Sequence, residues 1–282
     1  MRTAFLARPG SPLAERVALR SKSDCSILDG ADPRVVVDGE RVLWNETELD
    51  GVSALIVESP WIAWPQPVAE GRDGESVEAL QRRGIAQRER RALHVSALRI
   101  VARRARIANE PALAADLAMT AALALERLAV SRVPVCEWRV VADAHVRPGS
   151  ARVALTAETG LRPADGAQAL EIDAAAASTR RQLCIGGQWI AAATGCPELH
   201  SSLRSSPMSA ARICNETPEA DRELAQRALD ALGLVFGCVH VANGAVAFVD
   251  AAVDLSAWDS ATNGQVSAAL ATWLSGASKT GA

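Results

Sequence analysis

The 282 residues contain no tyrosine and only two lysines, Lys22 and Lys279. Arginine therefore carries nearly all of the positive charge, and a mechanism that demands a lysine between those two positions is excluded. The net charge of −3 has the wrong sign for a general nucleic-acid binder. The six cysteines, Cys25, Cys136, Cys184, Cys196, Cys214 and Cys238, are scattered, with no C-x-x-C pair. No secretory leader precedes them, so reduced thiols and a cytoplasmic location are expected. MRTAFLARPGSP is interrupted too soon for a signal peptide and reads as a strand followed by a Pro-bearing turn. The apolar stretch PALAADLAMTAALALERLAV carries Asp116, Glu126 and Arg127, which makes it an amphipathic helix and not a membrane span. No long low-complexity tract occurs. With 49% apolar and 22% charged residues the chain is of the soluble globular class, and it is long enough for one large domain or two or three lobes.

The densest signal lies in residues 228–259. There Ala228 to Leu232 close an amphipathic helix, and Gly233 stands where a C-cap needs positive φ. Val235 to Val241 then pair with Ala245 to Asp250 across Asn243-Gly244, the strongest hairpin signal in the chain. Upstream, residues 1–70 alternate short strands with little helix: Thr3 to Ala7, a helix near Leu13 to Arg20, Cys25 to Leu28, Arg34 to Val37, Arg41 to Trp44 and Ala54 to Glu58. Trp61 and Trp64, beside Pro60 and Pro65, read as a packed loop corner or the wall of a groove. Residues 71–105 follow a helical pattern through Val77, Leu80, Ile85, Leu93, Leu98 and Val101, weakened by Gly84 and RERR. Arg88, Arg90 and Arg91 read as a solvated face or an anion-binding cluster. Two strands are expected over Arg152 to Ala157 and Ala167 to Ile172. Thr217 is expected to cap a helix over Pro218 to Leu232, and residues 263–275 form a last helix burying Val266, Ala269, Leu270 and Trp273.

The helix, then LGLVFG, then a hairpin whose second strand ends in an acid, resembles the C-terminal core of the ATP-grasp ligases. The nearest likeness is to the peptide-modifying graspetide and RimK-like type. RIANEPALAADLAMTAALALERLAVSRVPVCEWRVVAD keeps that family's order of strand, Asn109, Pro111, a helix from about Ala112 to Ala129 and a Val133-Pro134 entry into the next strand. STRRQLCIGGQWIAAAT resembles its strand, Gly-Gly turn and strand. The fold class this implies is α+β and ATP-grasp-like: an N-terminal α/β lobe, a C-terminal antiparallel sheet with helices, and a reduced central lid lobe. The implied division is 1–105 and 106–282, with the lid remnant at about 144–173.

The resemblance also implies a site. Arg181 falls on the position of a phosphate-facing arginine, and Arg204 matches a second one. The family's three Mg²⁺ ligands correspond to His240, Asp250 and Ala252, of which only Asp250 is a carboxylate. Near Thr120, where an ATP-contacting lysine is expected, there is none, and the lid strand has none either. Each missing charge-assisted contact costs about 1.5–3 kcal/mol. Four such losses together imply a catalytically degenerate protein. The expectation is a peptide- or partner-binding subunit of a peptide or natural-product (RiPP-type) modification pathway, with Arg181 and Arg204 pairing with carboxylates and an oligomer possible. The alternative is a divergent active ligase, amide- or ester-forming, in which ATP and Mg²⁺ are needed, Arg181 and Asp250 hold the nucleotide, and Asp250 with His240 holds the metal. A third reading is a thiolate–imidazole zinc site from Cys238 with His240, or from Cys196, His200 and Cys214, set against buried structural Cys and His. Asp250, Asp254 and Asp259 read as an acidic rim in a solvated loop.

Overall fold

The computed structural model describes residues 2–21, 24–30, 33–58, 76–109, 121–142, 150–154, 168–175, 179–194, 212–214, 216–251 and 253–276. The N-terminal lobe begins with β1 (Arg2–Ala7), α1 (Pro12–Arg20) and β2 (Asp24–Asp29). A small antiparallel sheet of β3 (Val35–Asp38), β4 (Arg41–Trp44) and β5 (Thr47–Glu48) comes next, then β6 (Val52–Val57), α2 (Val77–Ala102) and β7 (Arg106–Ala108). The parallel sheet has the order β2-β1-β6-β7. Its inner strands are covered on both sides, which is why β1 and β6 read as apolar runs without alternation. Ser11 caps α1 by accepting from the Ala14 N–H at 3.3 Å, and Pro12 opens the first turn. Helix α2 passes unbroken through Gly84 and RERR, where the sequence suggested weakness. Its last turns bury Ala97, Leu98 and Val101 with Trp44 and Leu55, so packing at one end outweighs the local glycine cost.

The second half opens with α3 (Ala121–Val130), followed by β8 (Trp138–Ala142), β9 (Ser150–Ala154) and β10 (Gln168–Ala175), which form a three-stranded sheet of order β8-β10-β9. The strand expected after Val133-Pro134 is β8, and the two expected between residues 152 and 172 are β9 and β10. The C-terminal sheet contains β11 (Arg180–Ile185), β12 (Gln188–Thr194), β13 (Arg212–Cys214), β14 (Phe236–Ala242) and β15 (Ala245–Asp250), ordered β13-β12-β11-β14-β15 and antiparallel throughout. Helix α4 (Glu219–Leu232) precedes β14, and α5 (Leu255–Ala261) and α6 (Gln265–Leu274) end the chain. Gly233 has φ 70° and closes α4 through its N–H, while Asn243 and Gly244, at φ 51° and 74°, make the two-residue hairpin turn. The expected N-cap of α4 is corrected. Pro218 holds that place without a side-chain bond, because the Thr217 hydroxyl instead accepts from Gln182 at 3.0 Å.

Each face of the C-terminal sheet has its own core. One face packs Val239, Val241 and Val249 against Leu224, Ala228 and Leu229 of α4. The other face packs Leu183, Ile185, Phe236 and Cys238 against Phe5, Ile56, Trp258, Val266 and Leu270, so the two halves of the chain share one hydrophobic cluster. Asn109 fastens the same junction. Its Oδ1 accepts from the Val235 and Phe236 N–H groups at 2.7 and 3.1 Å, and its Nδ2 donates to the Phe236 carbonyl at 2.7 Å. The parallel sheet takes its fourth strand from residues just past position 105, and α6 returns to pack on α1. Asp259 is not part of a solvated rim. It is 1% exposed, ion-paired with Arg16 Nε at 2.7 Å, and accepts the Ser267 N–H at 2.6 Å. Asp254 is exposed and is the N-cap of α5. Among the described residues no helix is long and apolar enough to cross a membrane.

Candidate functional site

In the antiparallel sheet, residues directly opposite on neighbouring strands share a face. The register sets Arg181 opposite both Ala193 and His240, and His240 opposite Phe248. Two residues along, Leu183 stands opposite Cys238, and Cys238 opposite Asp250. This second row belongs to the shared core, so Arg181 and His240 lie one step beyond the point where the two halves meet. Asp250 and His240 are diagonal neighbours on adjacent strands.

Arg181 is 6% exposed, yet its Nε is buried without a hydrogen-bond partner, and among the described residues no carboxylate is ion-paired with it. His240 is 5% exposed, and its Nδ1 is also buried without a partner. Its ring meets Phe248 edge-on at 5.4 Å. Burial, reinforced by the neighbouring Arg181 charge, pushes the His240 pKa down to about 3, so the imidazole is neutral at physiological pH. A neutral imidazole does nothing to balance the guanidinium. The row thus holds a buried cation whose Nε lacks an acceptor and which no described carboxylate balances, an arrangement that an anionic group would relieve. A guanidinium suits a carboxylate or a phosphate, whose paired oxygens match its fork of N–H donors.

Mg²⁺ fits this row poorly. It wants near-octahedral oxygen donors, whereas a neutral imidazole beside a guanidinium offers a nitrogen donor and a repelling charge. Among the described residues no group of three or more His, Cys, Asp or Glu side chains could hold a metal. Cys238 and His240 do share a face, as expected from their spacing, but Cys238 lies in the core. Arg204, Ala252, Cys196, His200, Pro111, Thr120, Trp61 and Trp64 fall outside the described residues, as do the side chains of Arg88 and Arg91.

A second polar group escaped the sequence reading. Glu58, just after β6, is 7% exposed and accepts from Ser256 Oγ at 3.0 Å, while its Oε2 is buried without a partner. Burial is the main cause that raises its pKa. An acidic residue at the end of an apolar strand was the available signal, but nothing local to it announces the contact with Ser256, almost two hundred positions away.

No family model matches the sequence, and no curated relative does. Solved structures do, over nearly the whole chain. The ATP-grasp ligase PsnB, in a complex with minimal precursor, Mg and ADP, is 16% identical with a TM-score of 0.70, over 98% of this chain and 97% of that one. The chain has the ATP-grasp fold. Macrocyclase MdnC from Microcystis aeruginosa MRC, bound with precursor peptide MdnA, is 12% identical with a TM-score of 0.63, over 98% of this chain and 99% of that one. The RimK domain protein ATP-grasp from Sphaerobacter thermophilus DSM 20745 is 14% identical with a TM-score of 0.57, over 97% and 99% respectively. At these identities the likeness establishes fold and leaves activity to be argued from the residues.

Proposed function

We propose that this ATP-grasp chain is a peptide-binding protein of a peptide-modification pathway, with the ligation chemistry itself lost. The observation that carries this reading is the Arg181–His240 row. A buried guanidinium whose Nε lacks an acceptor favours an anionic group, and the neutral His240 stands where the family resemblance calls for a metal-binding carboxylate. The peptide setting is supported by two of the similar structures, in which PsnB is complexed with precursor peptide PsnA2 and MdnC with MdnA. A carboxylate of the bound peptide or partner would take the place beside Arg181, with Arg204 as a second contact.

The test is binding of a fluorescent peptide rich in Glu and Asp, followed by polarisation. Arg181→Met keeps most of the side-chain volume and removes the charge, so affinity should fall about tenfold to a hundredfold. Equal binding by the variant would refute the role of Arg181, and an inert wild type would refute the reading as a whole. The divergent-ligase alternative has one observation in its favour: the likeness to the ATP-grasp ligase PsnB covers nearly the full length of both chains. It requires Mg²⁺-dependent ATP hydrolysis that Asp250→Asn abolishes.

A further inference from the structure

The carboxyl end of the parallel sheet gathers polar groups that the Arg181 row does not use. Arg8 and Ser11 follow β1, and Glu58 follows β6, its N–H bonded to the Leu6 carbonyl at 2.8 Å. In open α/β sheets this end is where ligands bind. Glu58 lies at the bottom: 7% exposed, Oε1 bonded to Ser256 at 3.0 Å, Oε2 buried with no partner. Ser11, Arg8 and Asp254 are close enough to act on the carboxyl, the first two favouring its charged form and Asp254 opposing it. Arg8 and Asp254 are exposed and Ser256 is half-exposed, whereas Glu58 and Ser11 are buried.

We propose that Glu58 is the floor of a second binding site, separate from the Arg181 row, that takes a primary ammonium group. The charge count leads there. Among the described residues that act on this carboxyl electrostatically, one acid, Asp254, stands with one guanidinium, Arg8, so Glu58 and Asp254 together exceed the positive charge by one when both are ionised. An anion would be repelled, and an uncharged donor would fill Oε2 without balancing the charge. A divalent ion would need more ligands than are present, since Asp254 Oδ1 is committed to the Ala257 N–H at 3.0 Å, Ser11 Oγ accepts from Ala14, and no metal-sized group of acids stands among the described residues. A primary ammonium supplies one charge and three donors, for Glu58 Oε2, the Asp254 carboxylate and Ser256 Oγ. The inference rests on the peptide-binding reading, and it gives the peptide a lysine side chain or an α-amino group to present.

A small probe separates its failure from failure of that reading. Nα-acetyl-lysine methylamide is titrated into the full chain near neutral pH and followed by carbon-13 NMR of the glutamate carboxyls, with the norleucine counterpart as uncharged control. A saturable shift at Glu58 with the lysine probe alone is expected. Glu58→Gln should weaken binding about tenfold to a hundredfold. Asp254→Asn, which keeps the α5 cap acceptor, should weaken it about threefold. Arg181→Met should leave it unchanged while losing the acidic peptide. An equal response to norleucine, wild-type affinity in either the Glu58 or the Asp254 variant, or displacement of the probe by equimolar MgCl₂ or CaCl₂ would overturn the assignment.

Discussion

Replacing Asn109 by alanine should cost more than any surface change of the same size. The side chain is 4% exposed and makes three hydrogen bonds to the backbone where β14 begins, at 2.7, 2.7 and 3.1 Å. Its loss leaves the Phe236 N–H and C=O groups and the Val235 N–H without those partners in or beside the core. A net hydrogen bond contributes about 1 kcal/mol, and each buried group left unpaired costs about 1–3 kcal/mol. The effects are coupled through one side chain, so the total should be about 3–4 kcal/mol, a large share of the roughly 5–15 kcal/mol that holds an ordinary domain. Urea unfolding of wild type and variant measures the loss, and amide hydrogen exchange at Val235 and Phe236 shows where it falls. A loss below about 1 kcal/mol, with both amides still protected, would refute the view that Asn109 fastens the two halves.

Four further outcomes follow from other contacts in the fold. The His240 pKa is lowered by burial and by Arg181 to about 3. The unfolded chain therefore takes up that proton first, and stability present above pH 6.5 drains away as the pH falls toward 3. His240→Leu should flatten this acid limb in urea midpoints measured against pH, and an unchanged slope would contradict it. Glu58 works in the opposite direction: its raised pKa gives stability that is full below 4.5 and lost as pH climbs through the folded value, so Glu58→Gln should remove that loss. Arg16→Met leaves the 1%-exposed Asp259 carboxylate with only its backbone donor, and should cost about 2–3 kcal/mol by denaturant unfolding, whereas a neutral result would mean that the pair contributes nothing. A Cβ at Gly237 would stand 2.8 Å from Leu229 Cδ2 and 3.3 Å from the Asp250 carbonyl, so Gly237→Ala should cost about 1–3 kcal/mol and shift the Asp250 amide resonance.

Much of the fold was legible in residues whose signal is local. Asn243-Gly244, Gly186-Gly187 and Gly233 all take positive φ where the sequence demanded turns or a cap. The apolar strands β1, β6, β14 and β15 fall within a residue or two of their expected limits, and β11 and β12 flank the expected Gly-Gly turn. Positions governed by distant partners were misread. Thr217 has the chemistry of an N-cap, but Gln182 from the neighbouring sheet claims its hydroxyl. Asp259 looks like a loop acid until Arg16, 243 positions away, folds against it. Arg181 and His240 were named from the family likeness, but their neutral-beside-charged pairing needed the strand register and the burial of both.

The most direct test of the central claim, that the site binds an anion and no longer works as a Mg²⁺-dependent nucleotide site, is calorimetric titration of the purified chain with ATP and Mg²⁺, repeated with an uncleavable analogue. The expected result is no binding tighter than about 100 μM, equivalent to about 5.5 kcal/mol, under conditions where the acidic peptide does bind. Tighter nucleotide binding that is lost on removing Mg²⁺ or in Asp250→Asn would contradict the claim and make the chain a ligase that works with arginine in place of lysine.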